Sequence, residues 1–174
     1  MRKTVVLYKS STGFTKRYAE WIGERLQCDV LENRGVSVDV LKGYDTIILG
    51  GYLATGMVSG ARMIKKNFAL LKDKKIAVFG CGMAIPSNEF LEKMAETNFT
   101  EEQRNHIRCF YCRGGLNLSK LRGLSRFMLT IMCKQMEKKE EKTQYDKDMA
   151  ETLSHPVDFT DVEYIEPILN YITQ

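Results

Sequence analysis

Ser10-Ser11-Thr12-Gly13-Phe14-Thr15 is the stretch whose residue types and spacing could do chemistry. It follows the apolar run Val5-Val6-Leu7-Tyr8 and precedes an amphipathic segment opening at Thr15. A strand, a tight loop of small residues and a helix aim backbone N–H groups and the positive end of a helix dipole at one point. The hydroxyls of Ser10, Thr12 and Thr15 can converge there as further donors. A phosphate group satisfies that geometry. The loop has no lysine of the nucleotide-hydrolysing type and no three-glycine dinucleotide pattern. A plain Ser/Thr helix cap with a glycine turn would use the same residue types. The placement directly after a first strand favours phosphate.

The other reactive side chains form no second centre. Cys109 and Cys112 stand three apart in a strand-like run, so they point to opposite faces and do not suit a shared zinc or a disulfide. Cys28, Cys81 and Cys133 complete an odd, irregularly spaced set, which reads as buried small hydrophobes in a reducing compartment. His106 and His155 lack a neighbouring nucleophile or carboxylate arrangement. No metal site and no dedicated acid–base pair is expected.

Elements that would position the loop are legible from apolar periodicity. Strands are expected at residues 5–8, 28–32, 46–50, 75–80 and 107–112. Between them run helical patterns: one over 15–26, a short turn after Ser37, one carrying Ala61, Ile64, Phe68 and Leu71, and one capped by Ser87. Thr100 to Gln103 forms a capping box for a further short helix. Glycine-rich 51–60 and the segment 81–86 read as irregular connections. Short, near-continuous apolar strands separated by helices predict a doubly wound parallel sheet. Ligands of such sheets sit beyond the carboxyl ends of the strands, where the loops after strands one, three and four meet.

The chain has 174 residues, 44% hydrophobic content and a formal net charge of +4. That suits one domain spanning residues 1–174, with no run long enough for a membrane span and no signal-peptide pattern. The expected location is cytoplasmic. The mild positive charge fits an anionic ligand, an acidic partner or a membrane surface, and does not argue for nucleic acid.

With these pieces placed, the chain resembles the flavodoxin-domain family over nearly its whole length. It is similar above all to the branch of flavodoxin-type, menaquinone-dependent protoporphyrinogen oxidases. The likeness rests on the Ser10–Thr15 loop, on Tyr44-Asp45 leading to Gly50-Gly51, and on the segment from Gly114-Gly115-Leu116 to Arg126-Phe127-Met128. The resemblance implies a five-stranded parallel sheet in the order 2-1-3-4-5 with a helical insert, about 116–158, after the fifth strand. It implies FMN, held at its phosphate by Ser10, Ser11, Thr12, Gly13, Phe14 and Thr15. Tyr52, Leu53, Ala54 and Thr55 would lie by the flavin ring, and Cys81, Gly82 and Met83 would contact its other side. Such a protein would pass electrons between FMN and a redox partner protein, or a quinone or porphyrin-like substrate. The same loop on a soluble electron carrier, or on a non-catalytic binding module, is the competing reading.

The insert is expected to open with a long helix over Ser119–Lys139. Leu121, Leu124, Phe127, Met128, Leu129, Ile131, Met132 and Met136 form a wide apolar arc, flanked by Lys120, Arg122, Arg126, Lys134, Lys138 and Lys139. Such an arc suits peripheral contact with an anionic membrane or a partner, and equally suits packing on the protein's own sheet or over the flavin. Charged residues 137–148 read as mobile. Thr160 is expected to cap the last helix, about 160–172.

Overall fold

The computed structural model describes residues 3–174. Its strands are β1 (Thr4–Lys9), β2 (Asp29–Glu32), β3 (Thr46–Ala54), β4 (Met57–Val58), β5 (Lys75–Gly82) and β6 (Ile107–Arg113). Five of them pair in parallel in the order β2-β1-β3-β5-β6. That is the expected 2-1-3-4-5 order, with β4 as a short antiparallel return on the end of β3.

The helices are α1 (Phe14–Leu26), α2 (Val38–Lys42), α3 (Ala61–Lys66), α4 (Phe68–Leu71), α5 (Asn88–Asn98), α6 (Glu101–Arg104), α7 (Gly123–Glu137), α8 (Gln144–Glu151) and α9 (Glu166–Thr173). Strand side chains alternate between two faces, and each face has its own core. On one, Val5, Leu7, Ile47, Leu49, Ile76 and Val78 pack against Ile64, Phe68, Leu71 and Met94. On the other, Val6, Ile48, Ala77 and Phe79 meet Tyr18, Ala19 and Ile22 of α1 and Ile168, Leu169 and Ile172 of α9. Full burial of each such Leu or Ile contributes about 1.5–3 kcal/mol, so the two cores fix the sheet that presents the loops.

Several boundaries differ from the sequence reading. β3 continues to Ala54 and returns through Thr55-Gly56, both at positive φ (50° and 81°), as a two-residue hairpin turn of type I′ requires. The stretch expected to be an irregular connection is therefore a hairpin. β5 likewise continues through Cys81 and Gly82, in register with Cys112 and Arg113 of β6. The helix expected over 61–71 breaks at Asn67, whose side-chain amide donates to the Met63 carbonyl at 2.8 Å.

The insert is a closed excursion. β7 (Gly115–Leu116) and β8 (Val157–Asp158) pair antiparallel at its base, and α7 packs on α8 above a small core of Leu116, Leu121, Cys133, Met149 and Val157. The helix expected from Ser119 begins instead at Gly123. Asn117 caps a 3-10 turn at Leu118–Lys120 by accepting from the Ser119 amide, Arg122 is extended, and Gly123 has φ +56°. The last five residues of the charged stretch read as mobile belong to α8. Its start is a capping box between Thr143 and Asp146, and Asp146 and Asp148 are only 2% and 4% exposed. Asp146 accepts from Lys139 Nζ at 2.6 Å, and Asp148 pairs with Arg113 at the end of β6. The final helix starts at Glu166 after a 3-10 turn at Val162–Ile165. Asp161, not Thr160, caps that turn, because the Thr160 hydroxyl is bonded to Asp158 and accepts from Arg17.

Candidate functional site

The loop between β1 and α1 has the geometry of an anion cradle. Ser10 Oγ accepts from the Gly13 amide at 3.1 Å and closes the turn. Gly13 sits at φ +102°, a conformation that glycine adopts without strain, and its lack of a Cβ leaves the cradle open. α1 starts at the next residue, so its first orphan amides face out of the loop. The amides of Thr12, Phe14, Thr15 and Lys16 find no acceptor among the described residues. A Cβ on Gly13 would meet Lys120 Nζ at 3.7 Å, so the turn leading into α7 brings an ammonium over the loop. Donors, a helix N-terminus and a cation at one point fit a phosphate dianion.

Each sequence-predicted residue has a defined place. Thr12 is half-buried and Ser11 exposed. Phe14 and Thr15 are buried at the start of α1. The Thr15 side chain lies beside the Cys81 thiol beneath the loop. Tyr52 is half-buried at the carboxyl end of β3 and lines a cleft of about 740 Å³ together with Ser10 and Ser11. Leu53 points to the opposite face, over Gly80 and Gly82. Ala54 and Thr55 form the exposed end of the hairpin. Cys81 and Met83 do not reach this cleft with their side chains. Because β5 is longer than expected, strand alternation turns Cys81 into the α1-side core under Gly114, and Met83 packs into the insert. Burial pushes the Cys81 thiol up to about 12, although the neighbouring Thr15 side chain works the other way.

The cleft extends past the loop to the end of β2 and the start of α3. Lys9, Arg34, Arg62 and Lys66 line it, with Glu32, Asn33 and Asn67 between them. None of these four cations is in an ion pair among the described residues. They raise the positive potential beside the phosphate cradle and would draw an anionic ligand toward it. Sequence reading missed them, and it missed the role of Lys120. Lys9 ends β1, Arg34 follows β2, and Arg62 and Lys66 stand one turn apart on α3, so the folded topology brings three separate segments together.

Two further links hold the insert against the cradle. Arg17, in the first turn of α1, donates to Asp158 Oδ2 and to Thr160 Oγ1, both at 2.6 Å. Partial burial alone would raise the Asp158 carboxyl, but the bonds from Thr160 and Arg17 outweigh it and hold it below its usual range. Arg113 pairs with Asp148 and lies 3.7 Å from the centre of the Phe159 ring.

No group of histidine, cysteine and carboxylate side chains among the described residues could hold a metal. His106 packs edge-on to Phe68, and His155 lies 3.1 Å from Glu151; both are exposed. Cys109 and Cys112 belong to opposite cores, as their spacing predicts, and all five thiols are free.

A flavodoxin-domain family profile matches residues 5–146, and the chain belongs to that family. Among solved structures it is similar to the two-electron reduced flavodoxin of Megasphaera elsdenii, at 20% identity over 62% of this chain and 84% of that one, with a TM-score of 0.46. It is similar to the oxidised flavodoxin 2 of Bacillus cereus, at 23% identity over 63% and 84%, with a TM-score of 0.43. A flavoprotein of Lactobacillus acidophilus, solved in complex with FMN, matches at 18% identity over 65% and 93%, with a TM-score of 0.38.

Proposed function

We propose that this chain is an FMN-dependent redox protein that passes electrons between the flavin and an apolar, quinone or porphyrin-like substrate. The observation that carries the flavin reading is the β1–α1 cradle within a flavodoxin-domain chain. Gly13 at φ +102° opens it, Ser10 closes it, and unpartnered amides and Lys120 face it. Ser10, Ser11, Thr12, Gly13, Phe14 and Thr15 would hold the phosphate. Tyr52 would lie by the ring from the β3 end, and the Cys81–Met83 backbone would border it from the β5 end. Bound FMN would supply one- and two-electron chemistry, while the protein binds it, orients it and sets its electrostatic surroundings.

The preference for a substrate over a protein electron partner rests on the net charge of +4 and on the apolar, basic insert beside the cradle. The insert resembles that of the flavodoxin-type protoporphyrinogen oxidase branch, in which the fifth strand also runs into a basic, methionine-rich helix. The test is a turnover assay of the flavin-loaded chain with porphyrinogen as donor and a naphthoquinone as acceptor. Sustained turnover, lost in Thr12→Leu together with flavin retention, is the expected result. If the loaded chain exchanges electrons only with small redox proteins, it is an electron carrier instead.

A further inference from the structure

We propose that the outer face of α7 docks this protein on an anionic phospholipid surface. Leu124, Phe127, Met128 and Ile131 follow the one-face spacing of a helix, and they are 71%, 63%, 60% and 40% exposed. The opposite face is already used. Cys133 is fully buried, and Leu129, Met132 and Met136 pack against the insert core beside α8. The apolar arc read in the sequence is thus split between an inner half that holds the insert together and an outer half left bare.

Charge selects the occupant. Residues 117–136 contain Lys120, Arg122, Arg126 and Lys134 and no aspartate or glutamate; acidic residues resume at Glu137. Arg122, Arg126, Lys134 and Lys138 are exposed and have no ion-pair partner among the described residues. A second copy of the chain packed on this ridge would set these cations against their own counterparts with no acid between them. A lipid surface answers both features at once: acyl chains take the four apolar side chains, and anionic headgroups take the cations. No helix of the described residues is long and apolar enough to cross a membrane, so the contact lies in the interfacial plane. The 3-10 turn before α7 touches the phosphate cradle through Lys120, so docking would hold the candidate site close to the lipid. The inference does not rest on flavin binding, since the face is present whatever the cradle holds.

The experiment is flotation of the purified full-length chain with two vesicle types. One is phosphatidylcholine alone, and the other contains about one-third phosphatidylglycerol. Docking predicts binding to the anionic vesicles, at least about tenfold weaker binding to the neutral ones, and release in roughly 0.5 M salt. Phe127→Ser with Met128→Ser should cut the bound fraction about tenfold with an unchanged thermal midpoint, because both side chains are exposed. Arg126→Gln with Lys134→Gln should weaken binding to anionic vesicles alone. As an independent reading, Phe127→Trp should show a blue-shifted emission when anionic vesicles are added. Binding to neither vesicle, or binding indifferent to these substitutions, overturns the proposal and leaves an acidic protein as the partner. A lipid-free dimer that Phe127→Ser with Met128→Ser dissociates overturns it in favour of a second copy.

Discussion

Lys120 stands over Gly13: its ammonium lies 3.7 Å from the point a Cβ on that glycine would occupy, although the whole sheet separates the two in the chain. The cradle that lacks a lysine of its own thus borrows one from the insert. Replacing Lys120 by Gln should weaken FMN affinity by about tenfold, the order of one charge-assisted contact, and should leave riboflavin affinity unchanged. Titration of the apoprotein with each flavin checks this. Equal losses for both flavins would mean that Lys120 acts on the fold and not on the phosphate.

Tyr18 is the hub on the other side of the sheet. Its hydroxyl donates to the Arg113 carbonyl at 2.6 Å and accepts from the Asp161 amide at 3.1 Å. Its ring packs edge-on against Trp21, Phe79 and Tyr164. Burial pushes the phenol well above its ordinary pKa, so it stays neutral at any working pH. Tyr18→Phe keeps the ring and strands both backbone partners, at a cost of about 1–3 kcal/mol in urea unfolding.

Asp146 makes the insert acid-sensitive. The Lys139 and Thr143 hydrogen bonds hold its carboxyl at about 2, below the ordinary 3.8. The unfolded chain therefore binds that proton more tightly than the folded one. The contribution is complete above the unfolded value and is lost as pH falls from about 4 to about 2. Asp146→Asn should remove the steepest part of that loss, and it should lower stability at neutral pH by unmaking the cap. Urea midpoints measured across this range decide the matter.

The five thiols should be quiet. Burial raises Cys81 to about 12, and Cys28 and Cys109 to about 11; it raises Cys112 and Cys133 as well. For Cys28, Cys81 and Cys109 the thiolate fraction is then at least on the order of a hundredfold below that of a free cysteine, and their alkylation by iodoacetamide in the folded chain at neutral pH should be slower by a similar factor. Mass spectrometry of native and urea-unfolded samples measures the ratio. Rapid labelling of Cys81 in the folded state would show that it is open to the site after all.

The parts of this fold that were legible in the sequence are those specified by short-range pattern. Val5 to Tyr8, the Ser10–Thr15 loop and the Thr100–Gln103 box each carry their own signal within a few residues, and each stands where it was read. The family resemblance added the strand order. What stayed hidden depends on distant partners. Charged residues 137–148 read as mobile, yet the inward carboxylates of Asp146 and Asp148 are answered by Lys139 and, from the end of β6, by Arg113. Cys81-Gly82 looked like a loop, and became strand because Cys112-Arg113 pairs with it. Arg62 and Lys66 share one face of α3 by their spacing, but nothing local joins them to Lys9 and Arg34, and the crossover topology assembles the three segments at one cleft.

The most direct measurement is a titration of the apoprotein with FMN and with riboflavin, followed by flavin fluorescence quenching. The account predicts tight FMN binding and riboflavin binding weaker by about a hundredfold or more, since the phosphate cradle supplies much of the recognition. Equal affinity for the two, or none for either, would contradict it.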